Sequence, residues 1–316
     1  MIASLLIVNA DDCGMSRGIT DGIILAHRYG LVTSTSLMAN MPASEYAVSR
    51  LAAVPRLGVG IHLNISAGRP ILPAEKIPTL VDANGNFHRA AVMIRKLWRW
   101  NVACDEVEAE FRAQVRWMKD RGFGPTHADS HQHLHIYPAA IGPFVRALAA
   151  EGIRCTRALR SCAWPPGRVC RADWLGGPHA GSLVRRVFVR LYRRFLQAVA
   201  LRRFDMPESR VSFFARDKRD LASLGASWKT TLANLPPGIF ELACHPGLFE
   251  RGFSEADPLR FLREEELHWL TSPDWRDAVE GRGVRLISYR EVPGRRQTNE
   301  RVGGAKHATP EVQGLR

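Results

Sequence analysis

Short apolar segments typical of buried strands alternate with helix-like segments along most of this 316-residue chain. The first apolar segment covers residues 5–9, and Ser16 is placed to cap a helix that runs to about Gly30. Such alternation predicts a parallel sheet wrapped by helices. Further strands are predicted at residues 34–40, 57–64, 126–130, 153–157, 211–214, 239–244 and 284–288, and further helices at 42–53, 89–101, 105–121, 138–151, 219–233 and 256–281. At this length, the pattern favours a single α/β barrel domain over residues 1–290.

Two stretches depart from the alternation. Residues 158–180 are rich in Cys, Trp, Pro and Gly and read as irregular, and an arginine-rich helix is predicted over residues 182–202. Together they form a predicted insertion at about residues 158–205. From about residue 291 the chain has little apolar content, so residues 291–316 are expected to form a disordered tail.

The bulk composition is that of a soluble globular protein. The sequence contains no apolar stretch long enough to span a bilayer, and the N-terminus enters the first strand without a charged-then-apolar export segment. The six cysteines form no C-x-x-C pair, which favours reduced thiols. A cytoplasmic protein is therefore expected. The formal charge of +13 is explained by binding to nucleic acid, by binding to an anionic membrane surface or by simple solubility. The distribution of the basic residues along the chain distinguishes these explanations.

Two adjacent aspartates, Asp11 and Asp12, come directly after the first apolar segment. Neighbouring carboxylates in a cleft stay ionised together only if a positive charge lies beside one of them. A divalent metal meets this need, with one carboxylate as its ligand and the other free to take a proton. The pair therefore indicates a metal site with a second carboxylate that is free to accept a proton.

Four polar motifs share one position, at or just after the C-terminal end of a predicted strand. Catalytic groups gather at this face in a barrel of parallel strands. The motifs are residues 9–12, 60–63, 126–135 and 241–247, and they carry Asp11, Asp12, His62, His127, Asp129, His131, His133 and His245. One carboxylate with two imidazoles is the ligand set of catalytic zinc, and magnesium, manganese, cobalt or nickel are alternatives.

The histidine-rich segment leaves the choice of ligand open. If the strand continues past residue 130, alternation places on one face His127, Asp129, His131 and His133. Neither spacing nor period separates His131 from His133. Taken singly, each motif also has a non-functional interpretation, as a helix cap, a core histidine or a turn residue. Because the motifs all fall at strand ends, the metal site explains them better together.

The same motifs resemble those of the YdjC-like carbohydrate deacetylase family. The similarity lies in residues 9–14, 33–38, 60–63, 126–133 and 244–247, and it extends over about residues 4–290. It implies a distorted TIM-like (β/α) barrel, related in design to polysaccharide deacetylases. It also implies one divalent metal ion, zinc first among the candidates, with Asp12, His62 and His131 as ligands.

The resemblance assigns roles to the remaining motif residues. Asp11 would be the general base, and His245 the acid or the group beside the oxyanion. Cys13 stands where the family usually has Phe, a position expected to pack rather than react. Asp129 is the candidate partner that fixes the tautomer of a ligating histidine, and the alternative ligands are His133 and His127.

The family implies an N-acetylated amino sugar as substrate, and the basic helix bears on which one. Seven arginines and no acidic residue lie within residues 183–203, with apolar residues at helical spacing. This pattern is typical of a helix on an anionic membrane surface, and it also fits a helix that covers the barrel. Contact of residues 182–203 with a membrane would favour a glycolipid, as in the hopanoid-biosynthesis-associated (HpnK) branch of the family, whose substrate is an N-acetylglucosaminyl hopanoid.

Other interpretations stay open. Soluble chitooligosaccharides are the alternative substrates, and phosphate-ester hydrolysis is the alternative reaction on the same scaffold. The basic residues are not interleaved with a recognised nucleic-acid-binding motif, so no nucleic-acid partner is expected. A homodimer is neither indicated nor excluded. Residues predicted to line the substrate cleft are Arg157, Trp164 and Trp174, the tryptophans because aromatic faces stack on sugars.

Overall fold

The computed structural model describes residues 4–160, 183–211, 221–255 and 257–294 of the chain. Within helix 183–199, side chains are described from Leu191 onward. The predicted cleft residues Trp164 and Trp174 and most of the predicted tail lie outside the described residues. The four cysteines of the described part form no disulfide, and no helix there is both long and apolar enough to cross a bilayer.

The strands form one parallel sheet with the order β4-β3-β2-β1-β6-β5, and β7 pairs with the beginning of β1. Their bounds are β1 (Ser4–Cys13), β2 (Ser34–Leu37), β3 (Gly58–Leu63), β4 (Ala128–Ser130), β5 (Ser209–Val211), β6 (Gly238–Cys244) and β7 (Arg285–Leu286). Parallel neighbours require crossover connections, which the helices supply. The predicted α/β class is confirmed.

The helices of the described chain wrap this sheet. They are α1 (Arg17–Tyr29), α2 (Ser44–Leu51), α3 (Ala90–Trp98), α4 (Cys104–Lys119), α5 (Pro138–Ala150), α6 (Leu183–Val199), α7 (Leu221–Ala233), α8 (Arg260–Thr271) and α9 (Pro273–Glu280). Ser16 caps α1 as predicted, since its side chain accepts the Ile19 N–H.

The sheet curls because a short segment links its two ends. Thr156 forms a parallel bridge with Ala128 of β4, and Cys155 forms one with Asp205, shortly before β5. The predicted strand at residues 153–157 is therefore present only as these two bridges. The result is a distorted TIM-like barrel that is closed only by these two bridges, in agreement with the predicted fold.

Alternation along β1 divides the side chains between two environments. Leu6, Val8 and Ala10 pack in the main core beneath the helices. Ile7 faces the barrel interior, where it joins a small apolar cluster. The next inward side chains along β1 are polar, beginning with Asn9, which is fully buried. The apolar cluster thus fills one end of the barrel interior, and the polar side chains follow it along β1.

Some predicted boundaries were wrong for local reasons. The helix predicted over residues 256–281 is two helices, because Pro273 starts a new one after Ser272. The helix predicted over residues 105–121 begins one residue earlier, at Cys104, with Ala103 as its cap. β5 begins at Ser209, before the start of the strand predicted at residues 211–214. The part of that prediction after Val211 lies outside the described residues.

Candidate active site

Both aspartates of the adjacent pair reach the barrel interior because β1 is irregular at its end. The register between β1 and β2 shifts between Ala10 and Cys13, and Asp12 has a φ of 66°. In a regular strand two neighbours would point to opposite faces, whereas a bulge turns one of them. A positive φ is unusual for a residue other than glycine and is characteristic of functional sites. This bend brings Asp11 and Asp12 to the same site.

Asp12, His62 and His131 come together at the C-terminal ends of β1, β3 and β4. Each offers one donor atom, and these atoms all lie within 4.8 Å of one another. Asp12 Oδ1 is 3.0 Å from His131 Nδ1 and 3.5 Å from His62 Nε2. Asp12 and His62 are buried and His131 is half-buried, so the set has one side toward solvent. One carboxylate and two imidazoles with an open side suit a catalytic divalent cation.

The surroundings of the three donors fit a cation. His62 Nδ1 lies 2.7 Å from Asp129 Oδ1, which orients the ring and leaves Nε2 for a metal. Burial lowers the pKa of His62, but Asp129 and Asp12 outweigh burial and raise it to about 10. The pocket thus stabilises positive charge. Arg263 Nη2 donates to Asp12 Oδ2 at 2.9 Å, which leaves Asp12 Oδ1 directed toward the histidines.

A second donor set shares His62 and adds Asp11 and Asp129. Both of its carboxylates are already paired with Arg157, whose guanidinium lies 2.6 Å from Asp11 Oδ1 and 2.8 Å from Asp129 Oδ2. An arginine bound to two of three donors competes electrostatically with a cation there. The set of Asp12, His62 and His131 is therefore the better candidate metal site.

Arg157 lies inside the site and links three carboxylates. Its side chain is fully buried, and in addition to Asp11 and Asp129 it donates from Nε to Glu241 Oε1 at 2.8 Å. Burial opposes its charge, yet the three carboxylates raise the pKa of Arg157 well above its ordinary value. Asn9 Nδ2 also donates to Asp11 Oδ1, at 2.9 Å. These contacts fix the orientation of the Asp11 carboxylate.

His245 approaches the pair from β6, with Nε2 3.9 Å from Asp11 Oδ2. Two residues of α8 hold its backbone: Glu266 accepts its N–H, and Arg263 Nη1 donates to its carbonyl at 3.3 Å. Arg263 in turn donates to Asp257 Oδ2 at 2.5 Å. Burial lowers the pKa of His245, although Asp11 and Asp12 oppose the change. A neutral imidazole thus faces Asp11 at neutral pH.

The other histidines of the histidine-rich motif have different surroundings. β4 ends at Ser130, and Gln132 and His133 both have φ of 54°, so the strand does not continue and alternation does not extend to His133. His133 Nε2 lies 2.6 Å from Arg210 Nη1, and His133 belongs to neither candidate donor set. His127 Nε2 lies 3.1 Å from Ser36 Oγ, and its ring stacks on Tyr289 with centroids 3.7 Å apart.

This geometry predicts different results for two histidine variants. His131→Ala should reduce bound zinc from about one ion per chain to a small fraction, because it removes a donor of the candidate set. His133→Ala should retain zinc, since its ring contacts Arg210. Elemental analysis of the purified, dialysed proteins measures both. Equal zinc in the two variants would contradict this assignment of His131.

Glu266 is a buried acid whose surroundings keep it protonated. Burial raises the pKa of Glu266 to about 8, while the His245 N–H and Arg263 act in the opposite direction. The folded protein therefore holds this proton up to about pH 8, whereas the unfolded chain releases it near 4.5.

The contribution of Glu266 to the stability of the metal-free protein should accordingly fall as pH rises from about 5 to 8. The expected fall is on the order of 3 kcal/mol, taken as the difference in unfolding free energy between the unmodified protein and Glu266→Gln, whose amide does not titrate. Urea denaturation at several pH values in the presence of chelator measures it. An unchanged slope in Glu266→Gln would mean that other groups cause the pH dependence.

Known proteins resemble this chain over most of its length. A family model described as YdjC-like protein matches residues 5–281. The chain belongs to the YdjC-like family. A carbohydrate deacetylase from Geobacillus stearothermophilus is 32% identical over 288 residues, which is 90% of this chain and 96% of that protein.

Two further relatives extend the comparison. A chitooligosaccharide deacetylase from Proteus mirabilis is 38% identical over 157 residues, or 48% of this chain and 57% of that protein. The solved structure of an Enterococcus faecalis protein, provisionally named a cellobiose-phosphate cleavage protein, has a TM-score of 0.70 and 25% identity, and covers 91% of this chain and 98% of that one. Carbohydrate deacetylation thus recurs among the named relatives of this YdjC-like chain.

Proposed function

We propose that this YdjC-like protein is a metal-dependent N-deacetylase of an amino sugar. The observation that carries the proposal is the junction at the end of β1, where Asp12 faces His62 and His131 while Asp11 stays outside that donor set. A binding protein would have no need of a second carboxylate beside the ligands. The named relatives, which are carbohydrate deacetylases, support the same reaction.

Asp12, His62 and His131 would hold one divalent ion, and their chemistry favours zinc. Such an ion lowers the pKa of water and polarises the amide carbonyl of the substrate. Asp11 would take the proton from the attacking water. Because Arg157 and Asn9 fix its carboxylate, Asp11 needs no rearrangement to do so.

His245 would serve the leaving amine. Its pKa is lowered by burial, so it enters the reaction neutral and must first receive a proton. Asp11, 3.9 Å away, is the group positioned to pass on the proton taken from water. Protonated His245 would then donate to the amine nitrogen as the C–N bond breaks.

For the substrate we propose an N-acetylglucosaminyl glycolipid, such as the hopanoid of the HpnK branch, with soluble chitooligosaccharides as the alternative. Phe249 is 56% exposed and follows the Cys244–Gly247 turn, so we include it as a candidate aromatic contact for a sugar. The buried contacts of Arg157 favour a role in positioning Asp11 over the predicted direct contact with substrate.

Acetate release tests the proposed function. N-acetylglucosaminyl lipids and chitooligosaccharides should release acetate, release should stop with a strong chelator, and added zinc should restore it. Phosphate release from generic phosphate esters is the matched assay for the phosphoesterase alternative. Chelator-resistant acetate release would reject metal dependence, and phosphate release without acetate release would reject the deacetylase.

A further inference from the structure

An exposed apolar stripe runs along the outer face of α6. Leu191, Phe195 and Val199 are spaced four residues apart, so they lie in line on the helix, and they are 58%, 59% and 52% exposed. The opposite face packs inward through Arg193 and Leu196, which are both buried. The helix therefore covers the barrel with one face and leaves a second apolar face in solvent.

The end of α3 enlarges this surface. Trp98, Arg99 and Trp100 are consecutive and exposed, with Trp100 61% exposed. The Trp98 and Tyr192 rings have centroids 6.1 Å apart, which joins the end of α3 to α6. We call the exposed side chains of Trp98, Trp100, Leu191, Phe195 and Val199 the apolar surface.

Exposed basic side chains lie in the same two segments of the chain as the apolar surface. Arg95, Arg99, Arg194, Arg202 and Arg203 are exposed, and the sequence has no acidic residue in residues 89–104 or 183–204. Aliphatic and tryptophan side chains together with arginine suit the boundary between lipid headgroups and acyl chains. The arginines suit anionic headgroups, because each basic residue near such a surface strengthens membrane binding by about 1 kcal/mol.

We propose that the apolar surface, together with these arginines, docks this protein on an anionic lipid bilayer. A second copy of the chain fits less well, because a symmetric contact would set arginines against arginines. Nucleic acid would contact the arginines, but it offers no apolar partner to Leu191 and Val199. The proposal rests on the proposed function for its glycolipid substrate, whereas docking on a bilayer does not require catalysis.

The docking surface is connected to the candidate site. Tyr192 Oη donates to the Ile136 carbonyl at 2.9 Å, and the Trp98 and Tyr137 rings have centroids 5.7 Å apart. Ile136 ends the short helical segment that begins at His131. A bilayer contacting α6 and the end of α3 would therefore lie against elements that pack directly on the segment carrying a candidate metal ligand.

Co-sedimentation with vesicles tests the docking. The full chain should bind phosphatidylglycerol-containing vesicles and bind pure phosphatidylcholine vesicles far less. Replacing Arg99, Arg194 and Arg203 together with Gln should lower partitioning by on the order of 100-fold, from three contributions of about 1 kcal/mol. Leu191→Ser with Phe195→Ser should also release the protein. Since these side chains are exposed, the melting temperature should stay unchanged.

Matched variants elsewhere on the surface separate docking from general charge. Replacing the exposed Arg28, Arg56 and Arg282 with Gln, or Tyr29 with Ser, should leave vesicle binding unchanged. Equal losses in both arginine triples would reject the surface in favour of net charge. If the chain does not bind vesicles but sediments as a dimer that Phe195→Ser dissociates, the surface binds a second copy of the chain. If it does not bind vesicles but causes a salt-sensitive gel shift of RNA, the surface binds nucleic acid.

Vesicle binding and acetate release are independent measurements. Asp11→Asn should bind vesicles like the unmodified chain, because Asp11 is buried in the barrel. If the unmodified chain releases acetate from a soluble sugar but does not bind anionic vesicles, only the docking proposal is overturned. Vesicle binding without acetate release from any substrate would overturn only the proposed function.

Discussion

Asp11→Asn is expected to lower kcat by about 10²–10⁴-fold while the protein still binds one metal ion per chain. The size of the loss is that of a general base removed from a hydrolytic site. Zinc should remain, because Asp11 is outside the donor set of Asp12, His62 and His131. Asparagine keeps the shape of the side chain, so Asn9 and Arg157 still have an oxygen to bind. Acetate release and elemental analysis on the same sample measure both quantities.

Two other aspartate variants make the result specific. Asp12→Asn should lose both zinc and activity, because Asp12 belongs to the donor set. Asp21→Asn should change neither, since Asp21 contacts Tyr46 and Arg50 away from the barrel. If Asp11→Asn turns over within two-fold of the unmodified protein, Asp11 is not the base.

The candidate residues lie at the ends of strands that are visible in the sequence pattern. The way in which two neighbouring aspartates share one site is not visible there. Alternation would separate Asp11 from Asp12, and only the bulge with φ of 66° at Asp12 brings them together. The choice between His131 and His133 was likewise open, because it depends on the end of β4 at Ser130.

The residues that hold the site in place come from distant parts of the chain. Arg157 is 146 residues from Asp11, and Arg263 is 251 residues from Asp12. Spacing cannot predict such pairs, but a weaker signal was present. Arg263 and Glu266 lie on the face of α8 that buries its apolar residues, and Glu241 interrupts an apolar strand. Ionisable residues at core positions indicate buried ion pairs or functional sites.

Removal of the Arg157 guanidinium should strongly destabilise the barrel interior. Arg157→Met would leave Asp11, Asp129 and Glu241 without their shared cation, and all three are buried. Breaking a buried ion pair by removing one partner costs about 3–5 kcal/mol. The free energy of unfolding at pH 7, from urea denaturation, should fall by that amount. The deficit should shrink toward pH 5, because protonation then relieves the uncompensated carboxylates.

An exposed pair serves as the matched control. Arg146 donates to Glu108 Oε2 at 2.6 Å, but its side chain is 54% exposed, so Arg146→Met should cost at most about 1 kcal/mol. Adding Glu241→Gln to Arg157→Met should recover part of the lost stability, because one uncompensated charge is removed. A loss below about 1 kcal/mol in Arg157→Met would show that the three carboxylates do not depend on this arginine. Asp11 would then have to be held mainly by Asn9, the other hydrogen-bond donor to its carboxylate.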